Sequence, residues 1–189
     1  MLTKEEMWNI LKVLIQNFWP QSWDQKLLSA SYSDCIKPRI VYLSQWVNIL
    51  LSSDAETDEY LTCYQLSHQL LHYLSLWWVW NKGKVTFLEE WLATQASLIG
   101  CRTIYWDNDS EVEQMLRYTY LKNDNYWTAY RAIDPILKKY PLCIRNIRER
   151  KLCNGQSILF SDITMNELLE EINWDYRDEV RILMNWFYE

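Results

Sequence analysis

The sequence predicts an α+β fold that is mostly helical, with a small β-sheet before the helix that carries both histidines and a helical C-terminal half. Apolar residues make up 49% of the 189 residues and charged residues 23%, as in a single globular domain with a substantial core. Three glycines and four prolines are too few for a turn-rich all-β fold. The length suits one domain of ordinary size and the sequence contains no internal repeat or low-complexity linker, so we expect one domain over residues 1–189.

The first third of the chain predicts one helix, a loop and a strand region. Thr3 and Glu6 have the spacing of a capping box. An apolar stripe follows at helical spacing, and we expect this helix to end near Pro20; the stripe consists of Met7, Ile10, Leu11, Leu14 and Ile15. Residues 21–37 are expected to be mostly loop, with a short helix near 23–29. The segment PRIVYLSQWVNILLSS (38–53) is rich in β-branched and aromatic residues. It predicts either one long strand or two strands with a kink near 44–45.

Helices dominate the rest of the prediction. Acidic residues at the start of a helical pattern favour a helix over 56–80, which contains the segment HQLLH and ends before NKGK (81–84). Thr86 and Glu89 form a second capping-box pattern, for a helix over 87–99 that ends at Gly100. The remaining predicted elements are a short β-prone piece at 101–106, a helix over 111–121, a helix near 125–140 with a bend or break at Pro135, a helix over 165–172 capped by Thr164 and Glu167, and a last helix over 175–188.

Charge and composition argue against several classes of protein. The net charge of −6 leaves no basic excess for a nucleic-acid binder, and the basic run RNIRERK (145–151) is expected to be a solvated helix face. No apolar run is long enough to span a bilayer, and the most apolar segment, LSLWWVW (74–80), is expected in the core. The five cysteines contain no CxxC pair, and the N-terminus does not resemble a signal peptide. We therefore expect reduced thiols and a cytoplasmic location, with neither nucleic acid nor membrane as a partner.

The segment HQLLH is the candidate site. His68 and His72 are the only histidines, and on a helix two residues four apart lie on one face, so both imidazoles can reach one cation. The next predicted helix begins 14 residues after His72 and carries two glutamates in its first turn. Glu89 is expected to turn back to the helix N-terminus as part of the capping box. We therefore predict a zinc site made by His68, His72 and Glu90, with Glu89 as the alternative third ligand.

These residues resemble the gluzincin branch of zinc peptidases. In that branch an HExxH helix is followed by a helix that supplies a glutamate ligand, often within ExxA; here the counterparts are His68, Gln69 and His72, then EWLA from Glu90 to Ala93. The approach segment ILLSSDAETDEYLTCYQLSHQLLHYLS is similar to the layout of ImmA/IrrE-type proteins. The resemblance covers residues 38–97. It implies a zincin-like fold whose metal-site core is 38–97, completed by the helices of 98–189. It also implies a protein or peptide substrate and a regulatory protein as the partner that is cleaved. We expect the substrate to be held as an extended strand along 39–51.

Gln69 departs from the pattern of that branch. It occupies the general-base position, and a carboxamide cannot take a proton from water near neutral pH. The sequence therefore predicts a metallopeptidase-like protein that is catalytically impaired, either as a natural pseudoenzyme or through an engineered replacement. Two alternatives stay open: a non-catalytic protein-interaction domain on a zincin scaffold, and a helical domain with structural histidines and no metal. Cysteine–histidine catalysis is disfavoured because Cys63 lies five residues before His68 and points to another side of the helix.

Overall fold

The computed structural model describes residues 2–18, 26–35, 37–43, 46–75, 85–105, 114 and 124–187. The fold is α+β and mostly helical, as predicted. The helices are α1 (Lys4–Phe18), α2 (Glu59–Ser75), α3 (Phe87–Tyr105), α4 (Asp124–Lys139), α5 (Cys143–Cys153), α6 (Met165–Glu171) and α7 (Arg177–Leu183), and the strands are β1 (Lys26–Ser33), β2 (Arg39–Leu43), β3 (Trp46–Ser52), β4 (Val85–Thr86) and β5 (Trp186–Phe187).

The three longer strands form one sheet in the order β1-β3-β2. Strand β1 runs parallel to β3 and β2 runs antiparallel to it, so that Ile49 of β3 lies between Ala30 and Ile40. Of the two possibilities left open for 38–53, one long strand or two, the structure has two strands, which pair antiparallel; residues 44–45 lie outside the described residues. Strands β4 and β5 form a separate antiparallel pair, which brings the end of the described chain to the start of α3.

Strand β1 corrects the prediction of a loop with a short helix near 23–29. Ala30 and Tyr32 pack on the core, while serines alternate with them on the opposite face. Two of those serines, Ser29 and Ser31, form hydrogen bonds with the Asn48 side chain of β3, at 2.9 and 3.4 Å. The polar face made the segment look like a loop, but pairing with β3 supplies partners for both its backbone and its serines.

Helix α3 lies at the centre of the molecule. It contacts α1, α2, α4 and α7, packs most extensively against α2, and is buried on nearly all sides, as expected for a helix in a core. It also runs on to Tyr105, so the predicted end at Gly100 and the predicted β-prone piece at 101–106 are wrong. Gly100 is not a helix terminator here, because its bare Cα faces the Ser67 side chain of α2 at close range.

Other boundaries differ in smaller ways. Helix α1 begins with the predicted capping box, in which the Glu6 carboxylate accepts from the Thr3 N–H at 2.6 Å and the Glu6 N–H donates to the Thr3 hydroxyl at 3.2 Å. Helix α4 continues through Pro135 without a break. The predicted last helix is shorter, because a 3₁₀ turn (Trp174–Tyr176) precedes α7 and strand β5 follows it. The predicted helix over 111–121, apart from residue 114, and the segments 76–80 and 81–84 lie outside the described residues.

Polar side chains fix α2 against the sheet. The Gln65 carboxamide accepts from the backbone N–H of Ser52 at 2.9 Å and donates to the Ser52 hydroxyl at 2.7 Å. The Thr62 hydroxyl donates to the carbonyl of Ala55 at 2.5 Å and lies 3.0 Å from the Tyr32 hydroxyl. These buried contacts set the orientation of α2 relative to β1 and β3, and with it the direction in which the histidines point.

The basic run at 145–151 is only partly the solvated face that we expected. It lies on α5, where Arg145 and Arg150 form exposed ion pairs with glutamates. Arg148, however, is fully buried, and Lys151 is 7% exposed. Arg148 and Lys151 are therefore not solvated as expected. They can be buried because each has hydrogen-bond partners within the protein, which the sequence spacing does not reveal. Among the described helices, none has the length and apolar character needed to cross a membrane.

Candidate metal centre

The two histidines project from one face of α2 into the interface with α3. His68 and His72 are 7% and 3% exposed, so both imidazoles are largely removed from solvent. Their Nε2 atoms lie 3.2 Å apart. Two nitrogens at this separation either share a proton or bind the same cation, and which of the two applies depends on what else faces them.

Glu90 completes the group from the first turn of α3. Its Oε2 lies 3.5 Å from Nε2 of His68, and its Oε1 lies 3.6 Å from Nε2 of His72. One ligand atom from each of the three residues fits within a span of 4.8 Å. Tetrahedral zinc with ligand distances near 2.0–2.1 Å requires ligand atoms about 3.3 Å apart. The two distances from Glu90 to the histidines are made by different carboxylate oxygens, and one ligand atom of each residue lies within 4.8 Å of the others, so the group has the size of a site for one small divalent ion.

Glu89 takes a different place from Glu90. Its side chain is fully buried, and its Oε1 lies 3.5 Å from Nδ1 of His72, the nitrogen that faces away from the group of three. The backbone N–H of Glu89 donates to the Thr86 hydroxyl at 3.2 Å, so Thr86 caps the helix as predicted, but the expectation that the Glu89 side chain turns back to the helix N-terminus is wrong because it faces His72. The Glu89 carboxylate is directed at His72 and is not a member of the three-residue group. Such a carboxylate behind a histidine ligand holds the ring and its tautomer.

The electrostatics of the group favour a cation. Burial alone would lower the pKa of His72, but the hydrogen bond to Glu89 and the charges of Glu90 and Glu89 outweigh it, so the pKa is raised. Two buried carboxylates thus create a negative potential at the imidazoles. Either a proton on His72 or a metal ion bound by His68, His72 and Glu90 would neutralise part of this negative potential.

Gln69 is buried beside His68, with 6% of its surface exposed. Among the described residues, its carboxamide oxygen has no hydrogen-bond partner. A buried polar atom of this kind costs free energy unless something else, such as a water molecule or a ligand, supplies a donor. Gln69 can accept a hydrogen bond at this place, but it cannot take up a proton.

Two further residues, Tyr42 and Arg148, are influenced by the charge of Glu89. Tyr42 lies on the edge strand β2, and its pKa is raised by burial and then by the charges of Glu89 and Tyr73. Burial lowers the pKa of Arg148 to about 9, and the charge of Glu89 opposes that shift, so the guanidinium is protonated at neutral pH. Both residues are far from the HQLLH segment in the chain, and no local motif marks them.

Comparisons of the chain with protein-family models, with curated proteins and with solved structures find no match. The resemblance to gluzincins therefore depends on the HQLLH segment and the glutamate of the following helix. What the structure adds is the convergence of His68, His72 and Glu90 into a group with the dimensions of a metal site.

Proposed function

We propose that this protein is a zinc metallopeptidase-like domain whose hydrolytic activity is impaired by Gln69. The observation that carries the proposal is the group formed by His68, His72 and Glu90, with the Glu89 carboxylate behind His72. Two imidazoles and one carboxylate are a ligand set that catalytic zinc sites use, with a fourth position left for an exchangeable ligand. His68 and Glu90 keep about a tenth of their side chains exposed, which leaves an approach to that position.

Zinc is the proposed ion because of the donor types. Imidazole nitrogens suit zinc, whereas magnesium and calcium prefer shells of oxygen ligands. When bound, zinc supplies Lewis-acid chemistry to a water molecule or a carbonyl group. The protein contributes the ligands, a second carboxylate that orients His72, and a largely water-excluded setting that strengthens these electrostatic interactions.

Gln69 limits the proposed hydrolysis of the peptide bond. A glutamate at this position would accept a proton from the attacking water and pass it to the leaving amine. The Gln69 carboxamide keeps the shape and can hold a water molecule through its Oε1, but it has no basic site near neutral pH. We therefore expect substrate binding without efficient hydrolysis.

The proposed substrate is a protein segment in extended conformation. The sequence suggested binding along residues 39–51, but β3 is the central strand of the described sheet and has neighbours on both sides. Strand β2, at the sheet edge, is the part of that stretch with one free side in the described sheet, so the proposal narrows to β2. An edge strand binds an extended peptide through backbone hydrogen bonds, and a regulatory protein is the proposed source of that peptide.

The first test is the metal content of the purified protein, measured by elemental analysis beside a His68→Ala control. We expect about one zinc per chain in the wild type and its loss in the control. Gln69→Glu should then raise peptide hydrolysis by about 10²- to 10⁴-fold, the usual contribution of a general base, whereas Gln69→Ala should not. Absence of zinc after incubation with zinc at neutral pH would refute the proposal and leave structural histidines as the explanation.

Gln69 also favours a second candidate, a non-catalytic protein-interaction domain that retains the metal group. The same experiment separates the two functions. Stoichiometric zinc with no hydrolysis by the Gln69→Glu protein, tested on unfolded proteins and on peptide mixtures, would support the second candidate. Hydrolysis that depends on both zinc and Glu at position 69 would support the first.

A further inference from the structure

The C-terminal half of the chain contributes a fully buried cation, Arg148 on α5. Its guanidinium donates to three backbone carbonyls: Nη1 to Phe18, Nη2 to Leu74 at 3.1 Å and Nε to Ile158 at 2.8 Å. It also lies 4.2 Å from the centre of the Phe160 ring. Burying a charge is costly unless the surroundings compensate it, so these contacts call for an account of what the cation does.

Two of the three carbonyls belong to the last described turns of α1 and α2. Phe18 is the last described residue of α1, and Leu74 is the next-to-last described residue of α2. Arg148 therefore ties these two turns together through its guanidinium. In α2 the bonded carbonyl lies two residues after His72, within the same turn as that residue.

Charge links Arg148 to the other side of the same histidine. Among the described residues, the buried carboxylates are Glu89 and Glu90, and the buried Lys and Arg side chains are Arg148 and Lys151. Lys151 is paired with Glu167 at 2.9 Å. The charge of Glu89, in contrast, acts on the guanidinium of Arg148 and favours its protonated form. Glu89, which lies 3.5 Å from Nδ1 of His72, and Arg148 are thus buried charges of opposite sign, which supports a link between Arg148 and the histidine.

We infer that Arg148 is a positioning residue of the metal centre, which fixes the turn of α2 that holds His72 through its hydrogen bond to the Leu74 carbonyl. This inference rests on the proposed function, because it assigns Arg148 a role toward the proposed ligands. It also gives the C-terminal half a task beyond completing the core. The proposed ligands come from α2 and α3, but the cation that holds the turn of His72 comes from α5.

Arginine suits this task better than lysine. Its planar guanidinium presents five N–H donors in a fixed fork, which allows one side chain to reach carbonyls from three separate segments. A lysine at position 148 would keep the positive charge but would not maintain all of these bonds. Substitution by glutamine would remove the charge as well, so the two variants form a graded series.

The test compares Arg148→Gln and Arg148→Lys with Lys151→Gln in the full-length chain. Lys151 is the matched control, because it is a buried cation on the same helix whose partners are Glu167 and the Asp162 carbonyl instead of the metal group. Three quantities are measured: zinc affinity by competition with a chelator, the visible absorption bands of the Co²⁺-loaded protein, and the thermal stability of the metal-free protein.

We expect Arg148→Gln to weaken zinc affinity by about 10- to 100-fold, the usual effect of losing a residue that supports a ligand. Arg148→Lys should lose less, because the positive charge and part of the bonding to the carbonyls remain. Lys151→Gln should lower thermal stability and leave zinc affinity unchanged. The Co²⁺ bands, which report the ligand geometry, should shift in the Arg148 variants and not in the control.

Two results would overturn the inference: equal losses of zinc affinity in Arg148→Gln and Lys151→Gln, or wild-type affinity and Co²⁺ bands in Arg148→Gln. If Arg148→Gln does not fold, Arg148→Lys against Lys151→Gln decides in the same way. A wild-type protein that binds no zinc would refute the proposed function and the inference together. A wild-type protein that binds zinc while the Arg148 variants match it would refute the inference alone.

Discussion

At the residue scale, Glu89 and Glu90 are adjacent carboxylates with different surroundings. Glu90 faces Nε2 of both histidines, whereas Glu89 faces Nδ1 of His72 from behind. They can differ in this way because successive residues on a helix project about 100° apart. The helix start thus supplies both a candidate ligand and the group that orients another ligand.

This difference predicts unequal effects of substitution. Glu90→Gln should abolish stoichiometric zinc, since it removes an anionic ligand. Glu89→Gln should retain zinc but weaken its affinity by about 10- to 100-fold, because the hydrogen bond to His72 loses its charge. Elemental analysis and chelator competition measure the two effects. Stoichiometric zinc in Glu90→Gln together with its loss in Glu89→Gln would assign the third ligand to Glu89.

Glu167 is a second residue whose charge has a predictable effect. Burial alone would raise its pKa, but hydrogen bonds from the backbone and hydroxyl of Thr164 and the ion pair with Lys151 outweigh it, so its pKa is lowered. A carboxyl whose pKa is lower in the folded state stabilises the fold above its unfolded pKa. That contribution disappears as the pH falls through the folded pKa.

We therefore expect Glu167→Gln to unfold more easily than the wild type at pH 7, by roughly 1 kcal/mol, with the difference shrinking below about pH 4. Urea unfolding at pH 7 and pH 3 measures this difference. Glu170→Gln is the control, because its side chain is 68% exposed and its ion pair with Arg150 is a surface contact. A difference between Glu167→Gln and wild type that is the same at both pH values would contradict the expected charge effect.

At the element scale, the close packing of α2 on α3 is what brings the histidines to the glutamates. Gly100 allows this packing, since a Cβ at that position would lie 1.9 Å from the Ser67 Oγ and 2.7 Å from the Ser67 Cβ. Neither distance is compatible with van der Waals contact, so a larger residue would push the two helices apart. The single missing side chain therefore influences the spacing within the metal group.

Gly100→Ala should destabilise the protein by about 1–3 kcal/mol through overpacking, although alanine is the better helix former. It should also lower zinc affinity, because the ligands come from both helices. Adding Ser67→Ala should recover part of the stability, since it removes the closer of the two clashing atoms. Thermal unfolding and chelator competition on the single and double variants test this. A Gly100→Ala protein as stable as wild type would show that the helices adapt.

At the scale of the whole molecule, the group formed by His68, His72 and Glu90 connects helices α2 and α3, which otherwise contact each other through packing. Helix α2 leads out of the sheet region, α3 runs through the centre of the fold, and Arg148 of α5 donates to the Leu74 carbonyl of α2. An ion that binds this arrangement and not the unfolded chain shifts the unfolding equilibrium toward the native state.

Zinc should therefore raise the melting temperature, and a chelator should lower it. At free zinc 100 times its dissociation constant, the added stability is about 2.7 kcal/mol. Calorimetry with and without zinc measures the shift, and His72→Ala is the control that should show none. An identical zinc-induced shift in His72→Ala would mean that the stabilisation comes from another site.

The sequence by itself determined features that depend on local spacing. The α+β class, strand structure within 38–53 and the capping boxes at Thr3 and Thr164 are present as predicted, whereas the choice between one strand and two was left open. His68 and His72 face the same way because four residues make about one helical turn, and Glu90 is near them because its helix starts soon after theirs. The zincin-like fold and zinc itself remain predictions, since spacing alone does not identify a family or an ion.

Only the tertiary structure decided the features that depend on residues distant in the chain. Strand β1 forms because β3 offers it a partner, and α3 continues past Gly100 because Ser67 of another helix packs there. The Glu89 side chain faces His72 instead of the helix N-terminus. Arg148 is buried because backbone carbonyls from separate segments accept its hydrogen bonds. Packing and the compensation of buried charge determine these features, and the spacing of neighbouring residues in the sequence does not reveal either effect.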